Sequence, residues 1–148
     1  MTWTPKMKLF LDTNILLDVL LARPEFCDDS AVVWDLCERN QAQGFVSSIS
    51  VSNAHYILSR RVGKDKALAG VKLALSLFEV VPADKALLIH ATTFPRPDFE
   101  DVIQMLSAKQ PGADYLITRD PQHFKTSPVP VLSPAEFVRR LSDLTPNS

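Results

Sequence analysis

Residues 7–22 read MKLFLDTNILLDVLLA, and their first third decides the fold class. Apart from Lys8, Met7 to Leu11 is an apolar run of strand length that lacks the alternation of a half-exposed strand, so both of its faces are expected to be covered. The run stops on Asp12. An aspartate there either caps the helix that follows or belongs to a site at the carboxyl edge of a sheet, where open α/β folds bind ligands.

Outward from this stretch, further strands are expected at 45–48, 78–81, 115–118 and 129–132. Helices are expected at 15–22, 30–43, 50–61, 65–77, 84–92, 98–109 and 134–144. Gly44 is read as ending the second helix, Ser50 as capping the third and Gly63 as breaking it. The segment FPRPD (94–98) is a rigid connection between two helices. Strands separated by helices predict a three-layer α/β/α domain around a central, mostly parallel sheet of four or five strands.

The chain has 148 residues, 46% of them apolar, which fits one domain over 1–148 with a real core. Sixteen basic against seventeen acidic residues leave a formal charge of -1, so no global positive field announces a nucleic-acid partner. No apolar stretch reaches the roughly 20 residues of a spanning helix and the start lacks a secretory pattern, which predicts a cytoplasmic protein away from the membrane. Met7 is a second potential start, so 1–6 is read as a flexible extension, and TPNS (145–148) as a loose tail. Cys27 and Cys37 have neither CxxC spacing nor a second pair and are read as buried free thiols. His55, His90 and His123 are scattered, and no chemistry is assigned to them.

The acids are more informative. In a parallel sheet the strands ending near Leu11 and Thr118 point the same way, so Asp12 and Asp120 can meet at one edge. In DFEDVIQMLSA (98–108), Asp98 and Asp101 stand three apart and share a face of the first helical turn, which can look into the same cleft. Each residue also has an ordinary reading. Asp12 and Asp98 suit N-caps, Glu100 suits the helix dipole, and Asp120 before Pro121 suits a turn.

Taken together, LFLDTN (9–14), DFEDVIQMLSA and YLITRDPQHF (115–124) resemble, in order and spacing, the acidic motifs of the PIN-domain ribonucleases. The resemblance runs from about Met7 to Leu132 and is closest to compact bacterial members similar to the VapC toxin of toxin–antitoxin modules. It implies a metal-dependent endoribonuclease that leaves a 5'-phosphate and a 3'-hydroxyl. It carries the catalytic acids onto Asp12, Asp101 and Asp120, and supporting polar positions onto Asn14 and Thr118. Where the family usually has a glutamate in its third helix, this chain has Asn53. An amide oxygen can ligate a metal but carries no charge and is no base. Asp98 is therefore carried as a secondary metal ligand. The resemblance also implies a cognate antitoxin that inserts a side chain into the acidic cleft, and a homodimer.

Clustered carboxylates without thiols or paired histidines make a hard oxygen site, suited to Mg2+ or Mn2+. Such an ion would offset the repulsion among Asp12, Asp101, Asp120 and Asp98, and would serve hydrolysis of an RNA phosphodiester. Arg119 is read as a phosphate contact if it faces the cleft, and as a solvated side chain otherwise. Arg60 and Arg61, with Lys64 and Lys66, form the densest basic cluster, either an RNA-guiding patch or a helix-end cap. Two alternatives stand beside the ribonuclease: a catalytically weakened RNA- or protein-binding module, because of Asn53, and a haloacid-dehalogenase-like phosphohydrolase. The second is disfavoured by Asn14, which occupies the place of that class's second aspartate.

Overall fold

Strand β1 (Met7–Leu11) occupies the middle of a five-stranded sheet ordered β3-β2-β1-β4-β5, every pair of which is parallel. The computed structural model describes residues 6–22, 27–95 and 98–144. In chain order, β1 is followed by α1 (Thr13–Leu20), α2 (Cys27–Glu38), β2 (Ala42–Ser47), α3 (Ser48–Val62), α4 (Lys64–Leu77), β3 (Glu79–Val81) and α5 (Lys85–Ala91). Then come α6 (Phe99–Lys109), β4 (Tyr115–Ile117), a 3-10 turn (Pro121–Phe124), β5 (Val131–Leu132) and α7 (Pro134–Leu144). The expected fold class is thus the observed one, with an entirely parallel sheet. The proposed extension and tail fall, Lys6 apart, outside the described residues, as do Arg96 and Pro97 of the rigid segment.

β1 is buried on both sides because its side chains alternate between two cores. Leu9 and Leu11 join Ile15, Trp34 and Phe137 beneath α1, α2 and α7, while Phe10 joins Phe45, Leu116, Val102 and Met105 beneath α5 and α6. A smaller cluster of Leu17, Ala54, Leu58 and Ala67 ties α1 to the α3–α4 hairpin. Among the described residues, no helix is long and apolar enough to cross a membrane.

Two local readings change. Gly44 does not end a helix. It lies inside β2, where an added Cβ would meet the Phe78 ring at 2.5 Å and the Cys37 sulfur at 2.8 Å. The turn before β2 instead uses Asn40 at φ 61, a left-handed conformation that asparagine tolerates. The cap of α3 is Ser47, whose Oγ accepts from the Ile49 N–H, and not Ser50, which lies buried within the helix. Cys37 is a buried free thiol, as expected, and burial pushes it up to about 12. The side chain of Cys27 lies outside the described residues.

Candidate active site

β2 lies on one side of β1 and β4 on the other, so the crevice at the carboxyl ends of β1 and β4 is the position where this topology leaves room for a ligand. Asp12 follows β1 directly and its backbone N–H continues the ladder to the Ile117 carbonyl at 3.0 Å. Asp12 caps α1 with one oxygen and meets the end of β4 with the other. Oδ1 accepts from the Thr13 N–H at 2.8 Å at the start of α1, while Oδ2 accepts from the Thr118 hydroxyl at 2.8 Å. Thr118, fully buried at the end of β4, also accepts from the Asp120 N–H at 3.1 Å through the same oxygen. One hydroxyl thus fixes the carboxylate of Asp12 and the backbone of Asp120 together.

Asp12, Asn14, Asn53, Asp98, Asp101 and Asp120 all line one cleft of ≈ 460 Å³. The structure thus brings these six residues together. Asp98 caps α6 through Oδ1, which accepts from the Asp101 N–H at 3.2 Å. Asp101 follows in the first turn, with its side chain 21% exposed. The helix is held against the sheet by Val102, Met105 and Leu106. A buried polar knot below the cleft locks three elements together. Thr13 donates to the Ser50 hydroxyl at 2.8 Å, and the Gln104 amide donates to Ser50 at 2.6 Å and to Thr13 at 3.2 Å. These residues belong to α1, α3 and α6, the helices adjoining Asp12 and carrying Asn53 and Asp101.

The charge balance is unfavourable as the side chains stand. Burial pushes Asp12 from 3.8 up to about 6; Glu100 and Asp120 push in the same direction, and the bonds from Thr118 and Thr13 oppose them. Burial, followed by the negative charges of Asp98 and Asp12, raises Asp101 to about 7, with His123 working the other way. Among the described residues, no three His, Cys, Asp or Glu side chains are already gathered into a ready-made metal-binding group. The carboxylates nevertheless fit a hard divalent cation in donor type and in charge, since they share a cleft and their neighbours' charges raise Asp12 and Asp101.

Other expected residues lie elsewhere. Arg119 is not among the residues that line the cleft, and its side chain is held in an ion pair. Its Nε pairs at 3.1 Å with Oδ2 of Asp18, which is fully buried on α1 and also accepts from the Ser30 hydroxyl at 3.2 Å. A buried carboxylate needs such a partner, and Arg119 supplies it from the residue before Asp120. Arg60 lies over the ring of Tyr56, itself on the cleft wall, with its Nη1 3.2 Å from the phenol oxygen. Arg61 sits in the exposed last turn of α3 and does not line the cleft.

Among the cleft residues that sequence reasoning missed are a histidine and a glutamate. His123, in the 3-10 turn after Asp120, brings Nδ1 to 4.0 Å from Asp101 Oδ2. Glu100, read as a dipole residue, lines the cleft and accepts from the Asn53 amide at 2.9 Å.

A model of the PIN domain matches residues 8–122, most of the chain and every acid described above. The chain belongs to the PIN-domain family. That membership sets aside the dehalogenase-like alternative. The chain is 27% identical over 142 residues to ribonuclease VapC1 of Aquifex aeolicus (strain VF5), covering 93% of this chain and 97% of that protein. In fold, this PIN domain is similar to VapBC2 from Rickettsia felis bound to a DNA fragment from their promoter, with a TM-score of 0.65 at 19% identity, over 86% of this chain and 98% of that one. It is equally similar to a chain of a toxin–antitoxin complex from Klebsiella pneumoniae, with a TM-score of 0.65 at 20% identity, covering 85% and 97%.

Within this PIN domain, Thr118 is a good test of how the site is held. Thr118→Val removes the hydroxyl that favours the charged form of Asp12, so the Asp12 carboxyl is expected to titrate above its present value of about 6. The unpaired carboxylate should also lower stability by about 1–3 kcal/mol. Carbon-detected NMR titration and thermal unfolding read the two effects; an unmoved Asp12 titration would contradict the geometry.

Proposed function

We propose that this PIN domain is a divalent-metal-dependent endoribonuclease and the toxin of a toxin–antitoxin pair. The observation that carries the reading is the convergence of Asp12, Asp101 and Asp120, from three separate parts of the chain, on one cleft at the switch point of a parallel sheet. The sequence similarity to a VapC ribonuclease supports it.

Asp12, Asp101 and Asp120, with Asp98 as a further ligand, would hold Mg2+ or Mn2+. The chemistry a divalent ion supplies in such a site is activation of water and stabilisation of charge on phosphate oxygens. The protein's own part is arrangement. Thr118 keeps Asp12 turned toward the cleft and fixes the Asp120 backbone, and Asp98 anchors the turn that presents Asp101. Tyr56, Ile57 and Phe124 contribute apolar wall to the cleft, against which a nucleotide can lie. Arg60, held beside Tyr56 of that wall, is assigned to the RNA backbone; Arg61 is given the same role at the helix end.

An antitoxin and a second copy are the proposed protein partners. Leu68, Leu73 and Leu75 on α4 are exposed apolar side chains that such partners can cover. A second reading, a binding module with weakened catalysis, rests on one observation: Asn53 places an uncharged amide in the cleft.

The test is to offer the purified protein, free of partner, a mixed-sequence single-stranded RNA and a small phosphomonoester, with Mn2+ and with EDTA. Metal-dependent cleavage of RNA alone is expected. RNA binding without cleavage under all conditions would favour the weakened module, and phosphomonoester hydrolysis without RNA cleavage would overturn both readings.

A further inference from the structure

Asn53 is paired with an acid of the same cleft. Its amide Nδ2 donates to Glu100 Oε1 at 2.9 Å, a contact between α3 and the first turn of α6 that spans 47 residues of sequence. Both residues line the cleft of Asp12, Asp101 and Asp120. Glu100 directly precedes Asp101, so the helix turn that presents the one also brings the other to the cleft. An amide donor orients a carboxylate without competing for its charge, which a second carboxylate at position 53 would not do.

Resting on the metal-dependent reading above, we infer that Glu100 is a metal-ligating carboxylate of this site beside Asp12, Asp98, Asp101 and Asp120, supplied from α6 and held in place by Asn53 as a positioning residue. A negative charge that position 53 lacks is in this way supplied from α6, on the other side of the Asn53–Glu100 contact. Asn53 and Glu100 then form a unit, and replacing either alone breaks it. Asn53→Glu presses two carboxylates together. Glu100→Gln removes the charge. Combining the two moves the charge back to α3 and gives it an amide partner.

The experiment is Mn2+ binding to the metal-free full chain, read from the electron paramagnetic resonance of the free ion, for wild type, Asp101→Asn, Glu100→Gln, Asn53→Glu and the double variant. Unfolding without metal is followed in parallel. Glu100→Gln is expected to weaken Mn2+ binding by roughly 10- to 100-fold while its metal-free unfolding stays close to that of wild type, because Glu100 is exposed. Asn53→Glu alone should bind no better than wild type, and the double variant should recover most of the loss caused by Glu100→Gln. If Glu100→Gln binds as tightly as wild type while Asp101→Asn does not, or if the double variant recovers nothing, Glu100 is a helix-dipole residue and the inference fails. If wild type and Asp101→Asn both fail to bind Mn2+, the metal-dependent reading falls with it.

Discussion

Asp12→Asn is expected to abolish RNA cleavage, by about 10²- to 10³-fold or more, in a protein that folds at least as well as wild type. Asp12 is the most enclosed of the cleft acids, 8% exposed, with one oxygen on the Thr13 N–H and the other on the Thr118 hydroxyl. Its position is therefore fixed before any ligand arrives, which is what a site that must hold charge in one place requires. Asparagine keeps the shape and removes the charge. Near neutral pH the metal-free variant should be the more stable protein, because a buried carboxylate whose ionisation is opposed by its surroundings is a cost to the fold. Cleavage rates and thermal unfolding of the same preparation read both halves. Retained cleavage, or a protein that no longer folds, would contradict the role given to Asp12.

The second large effect is on stability against pH. Asp12 and Asp101 have folded values of about 6 and about 7, both raised from 3.8. Groups raised in this way stabilise the fold fully below their unfolded value, and the contribution is lost as pH rises through the folded one. Metal-free protein should therefore lose stability from about pH 4 to a little above pH 7. For Asp12 alone the rise corresponds to about 3 kcal/mol, and each kcal/mol moves the melting temperature of a chain this size by about 2–4 °C. Mn2+ binds the deprotonated carboxylates, so its stabilising effect should run the opposite way, small near pH 5 and large near pH 8. Melting temperatures across this range, with Mn2+ and with EDTA, check the prediction. An Asp12→Asn/Asp101→Asn double variant should flatten both trends. A metal-free protein whose stability rises over this interval would contradict it.

Much of this was legible in the sequence because it depends on local chemistry. The strand Met7–Leu11 was read with its observed bounds, since an apolar run ending on aspartate leaves little choice. The opening of α6 at Asp98 followed from N-cap preference, and the convergence of Asp12 with Asp120 followed from parallel strands sharing one direction. What sequence could not supply were the partners of polar groups across space. Nothing near Arg119 shows that its partner is Asp18, about a hundred residues earlier and itself hidden in an apolar helix. Gly44 looks like a helix stop until Phe78 and Cys37 are seen to need its missing side chain. Glu100 is a plausible dipole residue until the Asn53 amide is found bonded to it. The departure at Asn53 was a signal, but the sequence reading answered it with Asp98, because nothing local pairs Asn53 with Glu100.

The central claim, that these carboxylates form a metal-dependent ribonuclease site, is tested most directly by titrating Mn2+ into chelator-stripped protein near neutral pH. Cleavage of a mixed-sequence single-stranded RNA is followed for wild type and Asp12→Asn side by side. The account predicts that wild-type cleavage rises from background with the ion, disappears in EDTA and returns when Mn2+ is added in excess, while the variant stays at background throughout. Cleavage that persists in EDTA, or that is equal in the two proteins, would contradict it.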